Sequence, residues 1–220
     1  MVEVSTSTLD VEEENAVKTF YNIETAKTDF FHIDVMDGKF VENNNVEKMK
    51  KYSLELHTIS MTPLDVHLMV RDPKSMIDDF IDHGADRITF HLEACKNNEE
   101  ILSIIKYLIE NGVKVGLAVS PDTEIEAVYE YLEYIHMVLV MTVIPGKGGQ
   151  SLIPETLEKV EKLRKYCDEN DMDIDIEVDG GINDITAKEA VKAGANILVS
   201  GKYILNSDNY AESIKKLKEE

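Results

Sequence analysis

The chain has 220 residues, 43% hydrophobic and 30% charged, proportions that suit a water-soluble globular fold with one good core. Acidic residues outnumber basic ones 43 to 23, and the net charge of -20 argues against nucleic acid or an anionic membrane as partner, since both demand clustered Lys and Arg. No apolar run approaches the roughly 20 residues needed to span a bilayer.

Short β-rich runs alternate with helical patterns along the whole chain. A strand at Val2–Ser5 precedes a helical pattern over Val11–Lys27, then a strand at Phe30–Asp34 and a helix over Val46–His57. Next come Leu64–Leu68 and the helix Ser75–His83, Arg87–His91 and the helix Asn98–Asn111, then Lys114–Val119 and a helix over Glu124–Tyr134. Met137–Met141, Pro154–Glu169, Asp173–Val178, Thr186–Ala193, Ile197–Ser200 and Asn209–Lys218 complete the series. In Asn98–Asn111, Ile101, Ile104, Ile105 and Leu108 recur at helical spacing, and Asn111-Gly112 supplies a stop. The run KVGLAV is apolar enough for a strand covered on both faces.

Repeated βα units with short connections imply a parallel sheet, and about eight of them close into a barrel. The expected fold class is therefore α/β, a single (β/α)8 TIM barrel, with residues 1–220 as one domain. No linker or composition shift marks a second domain, and no GxGxxG follows the first strand as a doubly wound nucleotide-binding sheet would require. The N-terminal stretch has neither a basic start nor an apolar signal core, and Cys95 and Cys167 are too few for a disulfide framework. Both features point to a cytoplasmic setting. Apolar outer helix faces would let such barrels pair into a homo-oligomer.

Polar residues sit where several of these strands end: His32 and Asp34, His67, His91 and Glu93, and Asp179. Strand C-terminal ends form the active face of a barrel, and side chains two apart on a strand share a face. His32, Asp34, His67 and Asp179 make a mixed nitrogen–oxygen set suited to a divalent metal such as Zn, Fe, Mn or Co. Taken singly, each is as readily a buried polar residue satisfied by a neighbour. Taken together, several unpaired charges in a barrel mouth would be costly without a cation. Two carboxylates facing each other across a substrate could remove a carbon-bound proton on one face and deliver one on the other, inverting a stereocentre next to a carbonyl.

Three glycine clusters follow the last three strands, in MTVIPGKGGQ, EVDGGIN and LVSGKYI. Barrels often bind phosphate through backbone N–H groups of the loops after strands 7 and 8. Gly148, Gly149, Gly180, Gly181 and Gly201 would permit close backbone approach, and Lys147 and Lys202 could add charge, although each glycine alone reads as a turn residue and each lysine as a surface one.

HIDVMDGKFV, PLDVHLMV, MTVIPGKGGQ and EVDGGIN, in this order, closely resemble the ribulose-phosphate 3-epimerase family over about Val4 to Leu205. The resemblance implies a TIM barrel that uses a divalent metal to interconvert D-ribulose 5-phosphate and D-xylulose 5-phosphate. It implies His32, Asp34, His67 and Asp179 as metal ligands, with Asp34 and Asp179 also the acid–base pair. Met36, Met69 and Met141 match methionines that shield an enediolate, though core filling is the alternative. Thr8 matches a substrate-side hydroxyl, with Ser7 beside it. Gly146, Gly148, Gly149, Gly180, Gly181, Gly201 and Lys202 fall in the loops that would hold the phosphate, and His91 and Glu93 match a supporting HxEA segment.

The chain departs from the family pattern at Thr8, Ile144, Lys147 and Lys202. These departures leave open an altered ketose phosphate, such as a ketohexose 6-phosphate of the allulose 6-phosphate kind. The decarboxylase and aldolase branch of phosphate-binding barrels is disfavoured, because no lysine lies between Asp34 and Asp37. A non-catalytic sugar-phosphate binder would be expected to have lost its carboxylates, yet Asp34 and Asp179 are present.

Overall fold

The computed structural model describes residues 2–219. Eight parallel strands close into a barrel in sequence order: β1 Glu3–Ser7, β2 Phe30–Met36, β3 Leu64–Met69, β4 Ala85–His91, β5 Lys114–Val119, β6 Met137–Met141, β7 Asp175–Asp179 and β8 Ile197–Ser200. Closure is made by β8 against β1, where Val4 faces Leu198. Around the strands lie α1 Ala16–Thr25, α2 Val46–Ile59, α3 Lys74–Asp82, α4 Asn98–Glu110, α5 Leu157–Glu169, α6 Thr186–Ala193, α7 Lys202–Leu205 and α8 Tyr210–Lys218. This is the (β/α)8 TIM barrel that the alternation implied.

The pleat sorts each strand into two sets. Phe31, Ile33 and Val35 of β2, Val66 and Leu68 of β3 and Ile176 and Val178 of β7 point outward into the layer shared with the helices. The intervening residues point into the barrel, and there the interior divides by chemistry. Ala118, Met137, Leu139, Met141 and Ile197 form an apolar cluster from β5, β6 and β8. The remaining strands contribute buried Ser5, His32, Asp34, Asp65, His67, Arg87, His91 and Glu177. Gly116 makes the packing possible on one wall, since a Cβ there would lie 2.2 Å from Thr89 Oγ1.

Local sequence explains most elements. α4 starts at Asn97, whose side chain accepts the Glu100 N–H at 3.0 Å, and buries Ile101, Ile104, Ile105 and Leu108. The helix expected over Glu124–Tyr134 is present as Ile125–Tyr134, wound as a 3-10 helix. Its buried Ile125, Val128 and Tyr131 recur every third residue, the period that stacks side chains on one face of that tighter winding. The expected first helix is shorter, a 3-10 turn at Glu13–Asn15 running into α1. β1 and β7 both reach closer to the barrel mouth than their apolar runs suggested, bringing Ser7 and Asp179 within the strands.

Ile104 is fully buried against the outer face of the strands. Ile104→Ala should lower the free energy of unfolding by about 2–5 kcal/mol in urea titrations, because the surrounding layer only partly collapses onto the lost volume.

Candidate active site

Adjacent strands bring the inward residues into rows. His32 lies level with Asp65, Asp34 with His67, and Met36 with Met69 across β2 and β3. Met141 lies level with Asp179 across β6 and β7. One ligand atom from each of His32, Asp34, His67 and Asp179 falls within 4.8 Å of the others. His32 Nε2 and His67 Nδ1 each approach Asp34 Oδ1 at 3.3 Å, and His67 Nδ1 stands 3.7 Å from Asp179 Oδ2.

The charges respond to one another. Burial alone would depress both imidazoles, but the Asp34 and Asp65 carboxylates beside His32, and Asp179 and Asp34 beside His67, hold their pKa values above the ordinary one. Burial would raise Asp34, yet the His32 and His67 charges and the His67 hydrogen bond hold its carboxyl well below the usual range. Protons on these rings and a bound cation are alternative ways to neutralise the same carboxylates.

The donor set fits a divalent cation. His32 Nε2 is buried and has no hydrogen-bond partner among the described residues, while its Nδ1 lies 2.8 Å from Asp65 Oδ2. His67 Nε2 lies 3.0 Å from His91 Nε2, and His91 Nδ1 lies 3.1 Å from Glu93 Oε2. Burial, with the His67 charge added, lowers His91 to about 4 despite the Glu93 hydrogen bond, so its ring is neutral. With Nδ1–H donating to Glu93, His91 Nε2 accepts from His67 Nε2–H, and His67 Nδ1 is left facing the carboxylates. Two imidazole nitrogens and two carboxylates aimed at one point suit Zn, Fe, Mn or Co alike.

Above this cluster opens a cavity of about 480 Å³, within the range of small-molecule sites. It is lined by Asp34 and Asp179, by Met36, Met69 and Met141, and by Gly146, Gly148, Gly149, Gly180, Gly181, Gly201 and Lys202. The three methionines are each only 2% exposed, so thioethers make the wall nearest the carboxylates. At Gly181 (φ +70°) a Cβ would come within 2.3 Å of the Leu152 amide nitrogen, which locks the loop after β7 onto the one after β6. Ile144 and Lys147 line the same cavity, as does Asp10.

Thr8 does not reach this space. It is fully buried, and its hydroxyl donates to the His32 carbonyl at 3.0 Å. Ser7 lines the cavity instead, donating to Asp34 Oδ2 at 2.8 Å. The reason is strand parity: Ser5 and Ser7 share the inward face of β1, and the neighbouring residue faces the helices. Asp65 and Asn45 are further residues that the motifs alone left aside. Asn45 donates to the Asp34 carbonyl at 2.9 Å and accepts the Met36 N–H at 2.8 Å. Asp65 had a legible signal, lying two residues before His67 on one strand face.

Glu93 also accepts from Ser120 N at 2.8 Å and from the Thr123 hydroxyl, tying the His67–His91 row to the loop after β5. Lys159 Nζ clamps that loop from outside, donating to Pro121 O at 2.5 Å and Thr123 O at 2.6 Å.

An eight-stranded parallel barrel with acid, imidazole and glycine-rich loops gathered at its C-terminal mouth is the architecture of a TIM-barrel enzyme. Residues 3–205 match the ribulose-phosphate 3 epimerase family. The ribulose-phosphate 3-epimerase of Escherichia coli strain K12 is 38% identical over 195 residues, 89% of this chain and 85% of that one. The Bacillus subtilis protein of the same name is 34% identical over 219 residues, 99% of both chains. Among solved structures, 3-hexulose-6-phosphate synthase from Salmonella typhimurium superposes with a TM-score of 0.70 at 19% identity, covering 98% of this chain and 96% of that one, a likeness of fold. The chain belongs to the ribulose-phosphate 3-epimerase family and is an epimerase. No helix among the described residues is long and apolar enough to cross a membrane.

Burial pushes the Glu93 carboxyl up, but hydrogen bonds from His91, Thr123 and Ser120 outweigh it and hold the pKa at about 2, below the ordinary 4.5. A depressed carboxylate stabilises the fold above its unfolded pKa and loses that contribution as pH falls through the folded one. Metal-free protein should therefore weaken from about pH 4.5 down to about 2, and Glu93→Gln should flatten that acid limb in denaturant titrations. An unchanged slope would remove Glu93 from the account.

Proposed function

We propose that the chain acts as a single barrel domain, residues 1–220, that interconverts D-ribulose 5-phosphate and D-xylulose 5-phosphate by epimerisation at C3. The observation that carries this is the convergence of Asp34 and Asp179 on one point beneath a cavity walled by thioethers and glycine loops. His32, Asp34, His67 and Asp179 would hold a divalent cation. When bound, that cation supplies positive charge that polarises the ketose carbonyl and stabilises the enediolate.

The chain's own residues do the rest. One of Asp34 and Asp179 takes the C3 proton, and the electron pair left on carbon passes into the adjacent carbonyl. The other, protonated beforehand, delivers its proton to the opposite face of C3, and the two exchange roles in the reverse direction. Ser7 orients Asp34 through its 2.8 Å hydrogen bond. Met36, Met69 and Met141 keep water from the enediolate without offering a proton. Gly146, Gly148, Gly149, Gly180, Gly181 and Gly201 can approach the phosphate closely, and Lys202 adds charge. The acidic surface opposes an anionic substrate, so these local donors must capture it. The family's chemistry supports a cytoplasmic sugar-phosphate enzyme, and its outer helices suit a homo-oligomer.

A second reading is epimerisation of a ketohexose 6-phosphate. It is favoured by Ile144, Lys147 and Lys202, the three departures that line the cavity itself.

In deuterated water, the metal-loaded protein should exchange the C3 hydrogen while interconverting the pentulose phosphates, assayed beside hexulose 6-phosphates. Asp34→Asn and Asp179→Asn should each lower turnover by about 10²–10⁴-fold, and full activity in either would end the proposed proton transfer. Ser7→Ala should lower kcat/KM by about 10–100-fold, equivalent to one lost charge-assisted hydrogen bond. Thr8→Ala should act on stability, since its hydroxyl faces away from the cavity.

A further inference from the structure

Beneath the proposed cation site lies a second group of ionisable side chains. His32, Asp65 and Glu177 also bring ligand atoms within 4.8 Å of one another, all fully buried. This group differs from the one above it because a cation is already built in. Arg87 Nε stands 3.1 Å from Asp65 Oδ1, and its guanidinium lies 4.4 Å from the centre of the Phe30 ring. Asp65 is level with His32 on one neighbouring strand and with Arg87 on the other. The three side chains therefore form one row across β2, β3 and β4. The row is supported from β1, where Ser5 donates to Asp65 Oδ2 at 2.8 Å.

We propose that Asp65, held between Ser5 and Arg87, is a positioning residue that fixes the His32 ring so that Nε2 presents its lone pair to the cation. Resting on the metal-assisted reading above, this assigns a task to a residue outside the ligand set. Asp65 Oδ2 lies 2.8 Å from His32 Nδ1, and an ionised carboxylate can only accept, so Nδ1 must carry the hydrogen. With a cation in place of the ring's second proton the imidazole is neutral and has one N–H, which leaves the lone pair on Nε2, the buried, unpartnered atom 3.3 Å from Asp34 Oδ1. Glu177 Oε1, at 3.9 Å from Nδ1, is too distant to take over. Arg87 keeps Asp65 charged and in place, as a fixed counter-ion where an exchangeable one would compete for Nδ1.

Carboxylates behind ligating histidines raise ligand basicity and orient the ring, and losing one typically costs about 10–100-fold in metal affinity. The test is Zn²⁺ affinity, measured against a chromophoric chelator, for the wild-type chain, Asp65→Asn and Asp65→Leu. The ¹⁵N spectrum of the histidine rings is recorded alongside on zinc-loaded wild type. Asp65→Leu, which removes acceptor and charge, should weaken zinc binding by about 10–100-fold, and Asp65→Asn should weaken it less, since an amide oxygen can still accept. His32 should show a protonated Nδ1 and a metal-bound Nε2. Wild type that binds no zinc would overturn the metal-assisted reading itself. Wild type that binds zinc while both variants bind equally well would overturn only the role of Asp65. Should the variants fail to fold, the wild-type spectrum still decides, because a His32 ring with hydrogen on Nε2 overturns the proposal.

Discussion

Putting Asp34 and Asp179 side by side with two buried imidazoles, within 4.8 Å and with Asp34 itself buried, creates a demand for positive charge that the surroundings must meet. The raised imidazoles and the depressed Asp34 carboxyl are one expression of that demand. The unpartnered His32 Nε2 is another. A site so poised exchanges protons for a divalent cation, and its carboxylates gain the environment in which carbon acids can be deprotonated.

The rest of the barrel is arranged to sustain this concentration of charge. On β5, β6 and β8 the interior is apolar, and the methionine wall extends that character up to the mouth. On β1 to β4 and β7 it is polar, stacked in levels. The lowest level is the Asp65–Arg87–Glu177 group, where burial and the Asp65 charge push Glu177 well above the ordinary range and Arg87 neutralises Asp65. His32 belongs to this same level, braced across the strands by Asp65, and the next level holds Asp34 and His67. His67 is braced through His91 to Glu93 and thence to the loop after β5. One imidazole is thus anchored to the rigid barrel floor and the other to a loop of the mouth.

Much of this was legible beforehand because strand and helix periods are local. Ile101, Ile104, Ile105 and Leu108 announced α4, and His32 with Asp34 announced a shared face. The segment Ile125–Tyr134 was harder, since three-residue and 3.6-residue periods diverge only slowly over so short a run. Thr8 and Ser7 were harder still. Adjacent hydroxyls on a strand end differ only in parity, and a shift of one residue sends each to the other face. The extent of β1, set by its pairing with β2 and β8, decides which one meets Asp34.

From residue order alone came the βα alternation, the barrel, the ligand-type residues and the family resemblance, all carried by patterns within a few positions of one another. Tertiary structure alone decided that Ser7 rather than Thr8 touches Asp34, that Asp65 stands behind His32, and that Arg87 neutralises it. Those relations join strands 22 to 33 positions apart, as Asp65 with Arg87 and His32 with Asp65 illustrate. Which side chains meet across such gaps depends on the register of hydrogen-bonded neighbours, and register exists only once the barrel has closed.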